Sequence, residues 1–203
     1  MKKDTLPQKL YCLLWVFIGS MICALGIQLT LIAGIGVDPI TMFEEGVYKA
    51  TGLSVGAVTL LLNLFVLTMS FLLIRRVVGW GSVVCTFSVG PFINIWASLG
   101  IPTPENFWAC LLLDIVGVLV IGLGISIYML PEYGIGGMEA MMLYFTDKLK
   151  TPMGPTRIVM DCTWGVIGLI LGGTLGVGTI VGGLGIGMAI QFFYSHLVKL
   201  IKK

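Results

Sequence analysis

Six apolar runs, each about as long as a membrane is thick, constrain the fold of this sequence more than any other feature. They lie near 10–33, 55–74, 80–98, 107–130, 155–173 and 178–198. A helix needs roughly 20 residues to cross about 30 Å of hydrocarbon, where its backbone polar groups must pair within the segment. The runs are too long and too uniformly apolar for barrel strands. We therefore predict an all-α polytopic membrane protein with six transmembrane helices in a single membrane domain, 1–203.

Lysine and arginine are distributed unevenly between the loops of this arrangement. If the N-terminus is cytoplasmic, eleven of the twelve Lys and Arg residues fall on the cytoplasmic side, and only Lys49 falls outside. Cytoplasmic loops of membrane proteins carry such an excess of basic residues. The distribution therefore predicts six crossings with both termini in the cytoplasm.

The two halves of the sequence are related by a repeat at an offset of 98 residues. Six residues recur without a gap: Gly19, Leu25, Gly26, Ile27, Gly36 and Gly56 fall on Gly117, Leu123, Gly124, Ile125, Gly134 and Gly154. After one deletion the third spans also match, with Gly79, Gly81 and Gly90 on Gly176, Gly178 and Gly187. Because each half holds three spans, the second half must enter the membrane from the opposite side. We predict two inverted repeats, about 10–98 and 107–198.

Two shorter segments, 39–50 and 138–150, follow the first span of each repeat and are too short to cross a membrane. Asp38 and Pro39 predict the start of the first one, because a carboxylate accepts free backbone N–H groups and proline suits the first helical turn. One interpretation is an amphipathic helix on each membrane surface. The other is a pair of re-entrant half-helices whose ends reach the midplane, as in many transport sites. The sequence leaves both open.

Asp114 stands about seven residues into the fourth span, within the apolar sequence ACLLLDIVGVLV. A carboxylate near a helix centre in lipid costs about 2.5 kcal/mol or more, so it must face the bundle interior, hold a proton or find a partner. We predict a role in proton coupling or in contact with a cationic substrate. The alternative is a packing acid that is neutral or hydrogen-bonded.

Other polar residues in the spans and short segments complete the set of candidates. Arg157 and Asp161 are four apart and share a helix face, so they form either a structural ion pair or part of a polar site. The repeat pairs Asn63 with Asp161 and Thr41 with Glu139. The substrate or proton-coupling candidates are Asp114, Glu139, Asp161, Arg157, Asn63, Thr41 and Gln28.

Motifs for enzymatic chemistry are absent from the sequence. The single histidine, His196, lies beside the basic C-terminal end, and the five cysteines lie in apolar runs without CxxC spacing. There is no phosphate-binding GxxxxGK motif, and a net charge of +2 gives no reason to expect nucleic acid. We therefore predict no enzymatic activity, cofactor, bound metal or nucleic-acid partner. The expected partners are the lipid bilayer and a small molecule or ion.

Three motifs carry a resemblance to a known family. The first span ends in IGVDP, GLSVG opens the second span, and RRVVGWGSV precedes the third. In these motifs the chain resembles the YczE/YitT-type family of bacterial integral membrane proteins over nearly its whole length. The resemblance implies a location in the bacterial cytoplasmic membrane and brings no substrate or catalytic residues with it.

These observations favour a small-solute secondary transporter that alternates access between its inverted repeats. Two alternatives remain. One is a non-transporting accessory or scaffold protein whose polar residues serve packing and partner contacts. The other is a ligand-binding membrane subunit of a larger transporter.

Overall fold

Eight α-helices make up the described part of the chain. The computed structural model describes residues 6–75, 78–131, 133–134, 136–151 and 153–201, and no strand occurs among them. The helices are α1 (Leu6–Ala33), α2 (Pro39–Thr51), α3 (Val55–Leu73), α4 (Trp80–Ala97), α5 (Phe107–Met129), α6 (Gly137–Leu149), α7 (Met153–Ile170) and α8 (Val177–Ile201). Each begins and ends within a few residues of a predicted run or short segment, and the all-α prediction is confirmed.

Four helices are long and apolar enough to cross a membrane. These are α1, α3, α5 and residues 177–200 of α8. Two of the six predicted spans, α4 and α7, are not among them. In α4 the polar residues Ser82, Thr86 and Ser88 lower the mean hydropathy, and all three are buried within the bundle. In α7 the apolar part is only Ile158–Ile170. Among the described residues the structure thus supports four spans, and the crossing of α4 and α7 stays a prediction.

Helices α1 and α5 form the centre of the bundle and approach each other at two pairs of glycines. A Cβ atom built on Gly19 would lie 2.8 Å from the carbonyl oxygen of Gly124, and one on Gly26 would lie 2.7 Å from that of Gly117. The two helices are therefore antiparallel, since the residue number rises along one and falls along the other. The sequence repeat pairs Gly19 with Gly117 and Gly26 with Gly124. The counterpart of the Gly19–Gly124 contact is therefore the Gly26–Gly117 contact.

Most other helix contacts are also matched between the two halves. Helix α4 packs on α1, as α8 packs on α5. The short helices cross over between the halves, because α2 packs on α7 and α6 packs on α3. An exception is the extensive α3–α4 contact, which no α7–α8 contact of similar size matches.

Two backbone junctions repeat this matching in detail. In one, which we name the 36/176 junction, the N–H of Gly178 donates to the carbonyl oxygen of Ile35 at 3.1 Å. In the other, the 79/134 junction, the N–H of Gly81 donates to the carbonyl oxygen of Tyr133 at 3.0 Å. Gly36 and Gly134, the residues that follow these acceptors, have positive φ values of 108° and 126°. A side chain would be strained in that conformation, which explains why the repeat keeps a glycine at both positions.

The second half of α2 is fixed to the turn between α7 and α8 by Glu45. Its carboxylate accepts hydrogen bonds from the backbone N–H of Thr174 at 2.7 Å and from the Thr174 hydroxyl at 2.6 Å. The ammonium of Lys49 lies 2.8 Å from the same carboxylate. Burial alone would raise the pKa of the Glu45 carboxyl, but these hydrogen bonds and the Lys49 charge together lower it below its ordinary value.

We expect Glu45→Gln to destabilise the protein by about 1–2 kcal/mol, because it removes charge-assisted hydrogen bonds from Thr174 and Lys49. A lowered pKa in the folded state means that this stabilisation is present at neutral pH and is lost as the pH falls through the folded-state pKa. The difference in melting temperature between wild type and Glu45→Gln should therefore shrink below about pH 4. A difference that stays constant from pH 7 to pH 3 would contradict this assignment.

Candidate solute-binding site

The N-terminal half of α2 lies inside the bundle. Asp38 is the N-cap residue, and its carboxylate accepts the backbone N–H of Thr41 at 3.2 Å, while Pro39 occupies the first helical position as predicted. Asp38, Thr41 and Glu44 are 7%, 2% and 3% exposed. The polar face of this amphipathic helix is thus partly buried, because the helix packs between α7 and α3.

A first cavity of about 110 Å³ lies where the N-terminal ends of α2 and α6 meet. Its polar lining includes Asp38, Thr41 and Glu44 from α2 and its cap, and Glu139 from α6. The rest of the wall comes from α1, α3, α4, α5 and α8: Cys23, Ile27, Thr59, Asn63, Cys85, Thr86, Val89, Ile121, Ile125, Tyr128 and Ile186. Every predicted span except α7 therefore contributes to this one cavity.

A second cavity of about 200 Å³ adjoins the first and shares Asp38, Ile125, Glu139 and Ile186 with it. Helix α8 contributes most of its lining, with residues from the start of α2, from α5 and from α6, and Asp161 is its residue from α7. The sequence repeat relates part of the lining of the first cavity to part of the lining of the second. The first-cavity residues Ile27, Thr41, Glu44, Asn63, Cys85, Thr86 and Val89 have as counterparts the second-cavity residues Ile125, Glu139, Met142, Asp161, Gly182, Gly183 and Ile186.

Two carboxyl groups in the first cavity are hydrogen-bonded. The Thr59 hydroxyl donates to Oε2 of Glu44 at 2.7 Å, and the Tyr128 hydroxyl donates to Oε1 of Glu139 at 3.3 Å. Burial raises the pKa of the Glu44 carboxyl to about 8; the hydrogen bond from Thr59 opposes the rise, and the nearby Asp38 adds to it. Neither lysine nor arginine occurs among the described residues that line the two cavities. The arrangement is suited to a neutral or cationic solute and not to an anion.

Asp114 lies outside both cavity walls, at the 36/176 junction. It is fully buried, and neither carboxyl oxygen has a hydrogen-bond partner among the described residues. Its Oδ1 lies 3.1 Å from where a Cβ on Gly178 would be. A hydrogen-bonded packing acid therefore finds no partner here among the described residues, whereas the predicted functional role and a neutral packing acid both stay open.

The remaining predicted residues are divided among several places. Thr41, Asn63 and Glu139 line the first cavity, and Asp161 lines the second. Gln28 lies on α1, half-buried, outside both linings. The predicted pair of Arg157 and Asp161 cannot be described, because the side chain of Arg157 lies outside the described residues.

Sequence reasoning missed several residues of the first cavity. They are Glu44, Thr59, Thr86, Tyr128, Cys23 and Cys85. Glu44 lies within the predicted short segment 39–50, and the cysteines lie in apolar runs without CxxC spacing, so neither was singled out as a candidate. One signal was available: Thr59 and Thr86 are among the few polar residues in the apolar sequences of α3 and α4.

Comparisons with known proteins identify relatives over nearly the full chain. Residues 10–195 match the family described as "Family of unknown function (DUF6198)". An uncharacterized protein of Haemophilus influenzae is 24% identical over 179 residues, which cover 88% of this chain and 81% of the relative. The uncharacterized membrane protein YczE of Bacillus subtilis is 24% identical over 191 residues, which cover 91% of this chain and 86% of the relative.

A further Bacillus subtilis relative, the uncharacterized protein YyaS, is 26% identical over 166 residues, which cover 81% of this chain and 83% of the relative. No solved structure matches the chain. The predicted resemblance to YczE-type membrane proteins is confirmed, and the chain belongs to the DUF6198 family of unknown function.

Proposed function

We propose that this protein is a small-solute secondary transporter of the bacterial cytoplasmic membrane, with no enzymatic activity of its own. It crosses the bilayer six times with both termini in the cytoplasm, and its exposed apolar side chains contact lipid. Access to the solute alternates between the two sides as the two inverted repeats move against each other.

The observation that carries this proposal is the pair of adjoining cavities whose linings the repeat relates in part. An inverted repeat contains an axis in the membrane plane, and residues near that axis lie near their own counterparts. The first cavity contains both members of several such pairs, including Cys23 with Ile121 and Thr41 with Glu139. This supports a position for the site close to the midplane, with one cavity extending toward each face.

The short helices support the same proposal. Their N-cap residues, Asp38 and Gly136, are counterparts and have nearly equal backbone angles, with φ and ψ of −56° and 156° for one and −57° and 154° for the other. Both N-terminal ends reach the first cavity. Half-helices that end at a solute site from opposite sides are typical of carriers with inverted repeats, and this favours the re-entrant interpretation of both segments.

The chemistry of the walls indicates the class of solute. Three carboxyl groups, those of Asp38, Glu44 and Glu139, border a first cavity of only about 110 Å³. Hydroxyl groups of Thr41, Thr59 and other side chains supply further hydrogen-bonding positions. We propose a neutral or cationic polar solute of a few heavy atoms.

A matched pair of threonines on α3 tests the proposal. The Thr59 and Thr68 hydroxyls both donate to a carbonyl oxygen four residues earlier, at 2.9 and 2.8 Å. Thr59 lines the first cavity and Thr68 is exposed on the outside of the bundle. In a thermal-shift screen of small neutral and cationic solutes in detergent, a bound solute should raise the melting temperature. Thr59→Val should weaken its apparent affinity by up to about tenfold, the effect of one lost hydrogen bond.

Thr68→Val is the control and should leave the solute affinity unchanged. Uptake of the same solute into proteoliposomes should follow the same order of variants. If no solute stabilises the protein, or if both valine variants weaken binding equally, the scaffold alternative would replace the transporter. A solute that binds but crosses only when a separate ATPase is added would favour a membrane subunit of a larger transporter.

A further inference from the structure

Asp114 is an unusual carboxyl group because it is buried without a partner. Its side chain is 0% exposed, and neither oxygen accepts or donates a hydrogen bond within the described residues. An ionised carboxylate in such a position costs many kcal/mol, whereas the neutral acid costs far less. Burial without a partner therefore favours the protonated form of Asp114 in this arrangement.

The helix segments beside Asp114 offer no titratable side chain that could accept its proton. Residues 24–33 of α1 and 177–186 of α8 pack near this part of α5 and contain no titratable side chain. The acidic residue nearest to this junction along the chain is Asp38, two residues after Gly36.

The 36/176 junction covers the carboxyl group of Asp114. The carbonyl group of Gly36 and Oδ1 of Asp114 both lie within 3.1 Å of the position of a Cβ built on Gly178, so they meet on the same side of that glycine, and the N–H of Gly178 is bonded to Ile35. Separating the junction would break that hydrogen bond and admit water to Asp114. Once hydrated, the carboxyl group releases its proton to water and keeps the bonding electron pair as a carboxylate.

We propose that Asp114 is a proton-binding site whose ionisation is coupled to opening of the 36/176 junction, so that the proton is the coupling ion of the proposed transporter. This inference rests on the proposed function. Its asymmetry supports a coupling role, because the counterpart of Asp114 is Val16, also 0% exposed, so the repeat places no second acid at that position. One proton is therefore exchanged at one junction only.

Counterpart cysteines at the two junctions provide the test. Thr179 accepts the N–H of Gly176 at 3.2 Å in one junction, and Ser82 accepts the N–H of Gly79 at 3.3 Å in the other. Thr179→Cys and Ser82→Cys, each in a full-length chain whose five native cysteines are replaced by alanine, are labelled in proteoliposomes with a membrane-impermeant maleimide between pH 5.5 and 8.5. The reagent is added from either side.

Because the thiolate is the reactive species and its fraction itself rises with pH, each labelling rate is divided by that of a free small-molecule thiol with the same reagent at the same pH. We expect this normalised labelling rate of Thr179→Cys to rise with pH, by up to about tenfold per pH unit, the limit for one proton. Labelling of Ser82→Cys should fall or stay constant. Asp114→Asn should abolish the pH dependence at position 179. Asp114→Glu, which keeps the carboxyl group, should retain it, as should Glu105→Gln, which removes an exposed acid from the loop before α5.

Three results would overturn the inference: pH-dependent labelling that persists in Asp114→Asn, a rise at Ser82→Cys in place of Thr179→Cys, or a rise at fixed pH caused by sodium. Should Asp114→Asn fail to fold, loss of the pH dependence in Asp114→Glu would count against the proposal in the same way. A solute that still stabilises the protein and changes labelling at Thr179→Cys would leave the proposed transporter intact. Absence of any solute effect on stability or on labelling would contradict both the proton-coupling inference and the proposed transporter.

Discussion

Replacing Gly26 by alanine is expected to destabilise the protein by about 2 kcal/mol, even though alanine is the better helix former by about 1 kcal/mol. The new Cβ would lie 2.6 Å from the backbone nitrogen of Ile121 and 2.7 Å from the carbonyl oxygen of Gly117. Both are backbone atoms, so the contact is relieved only if α1 and α5 move apart. Because α1–α5 is the most extensive helix contact in the fold, the loss spreads along the whole crossing.

Gly187→Ala is the matched control for this substitution. Gly187 also lies within a helix, α8, but a Cβ there would meet no other atom within 4 Å. We expect that variant to be as stable as wild type or slightly more stable. Thermal unfolding in detergent measures both, with a shift of roughly 2–4 °C for each kcal/mol. Equal effects at the two positions would mean that the glycine crossing does not limit the approach of α1 and α5.

The positions of the helices could be predicted from the sequence because their signals are local. Asp38 and Pro39 start α2 through groups within one helical turn, and the apolar runs set the lengths of the longer helices. The repeat was readable for a similar reason. Glycines such as Gly26 and Gly124 are kept where two backbones touch, so a structural contact leaves a mark at fixed positions in the chain.

The cavity could not be predicted to the same degree, because burial of polar groups depends on distant packing. Glu44 and Glu45 are neighbours with similar side chains, yet one is buried against Thr59 and the other binds Thr174 and Lys49. The helical period places both on a polar face and does not distinguish them. The crossing of α2 over α7 decides which one faces the interior. The apolar sequence around Asp114 was enough to single out this residue. That its carboxyl group has no hydrogen-bond partner among the described residues could not be predicted from the sequence.

Asp114 and Val16 are counterpart positions in the repeat, and giving each the side chain of the other is the second change with a large expected effect. The two single variants should change the stability of the protein in opposite directions. Asp114→Val should stabilise the protein in detergent by about 1–3 kcal/mol, because it removes a buried polar group that has no hydrogen bond. Val16→Asp should destabilise it by at least about 3 kcal/mol, because it creates such a group within the apolar core of α1 and α5. Melting temperatures of the purified variants at pH 7 measure both effects.

The sign of the Asp114→Val effect separates a functional acid from a structural one. A carboxyl group retained for stability would lower the melting temperature when it is removed, as Glu45→Gln should. A group retained for proton exchange can be lost with a gain in stability, provided that its site is as apolar as the neighbours of Asp114 indicate. Destabilisation of Asp114→Val by more than about 1 kcal/mol would therefore mean that Asp114 supports the fold. A coupling site requires the opposite result, in which the variant is stabilised and also loses its pH-dependent labelling.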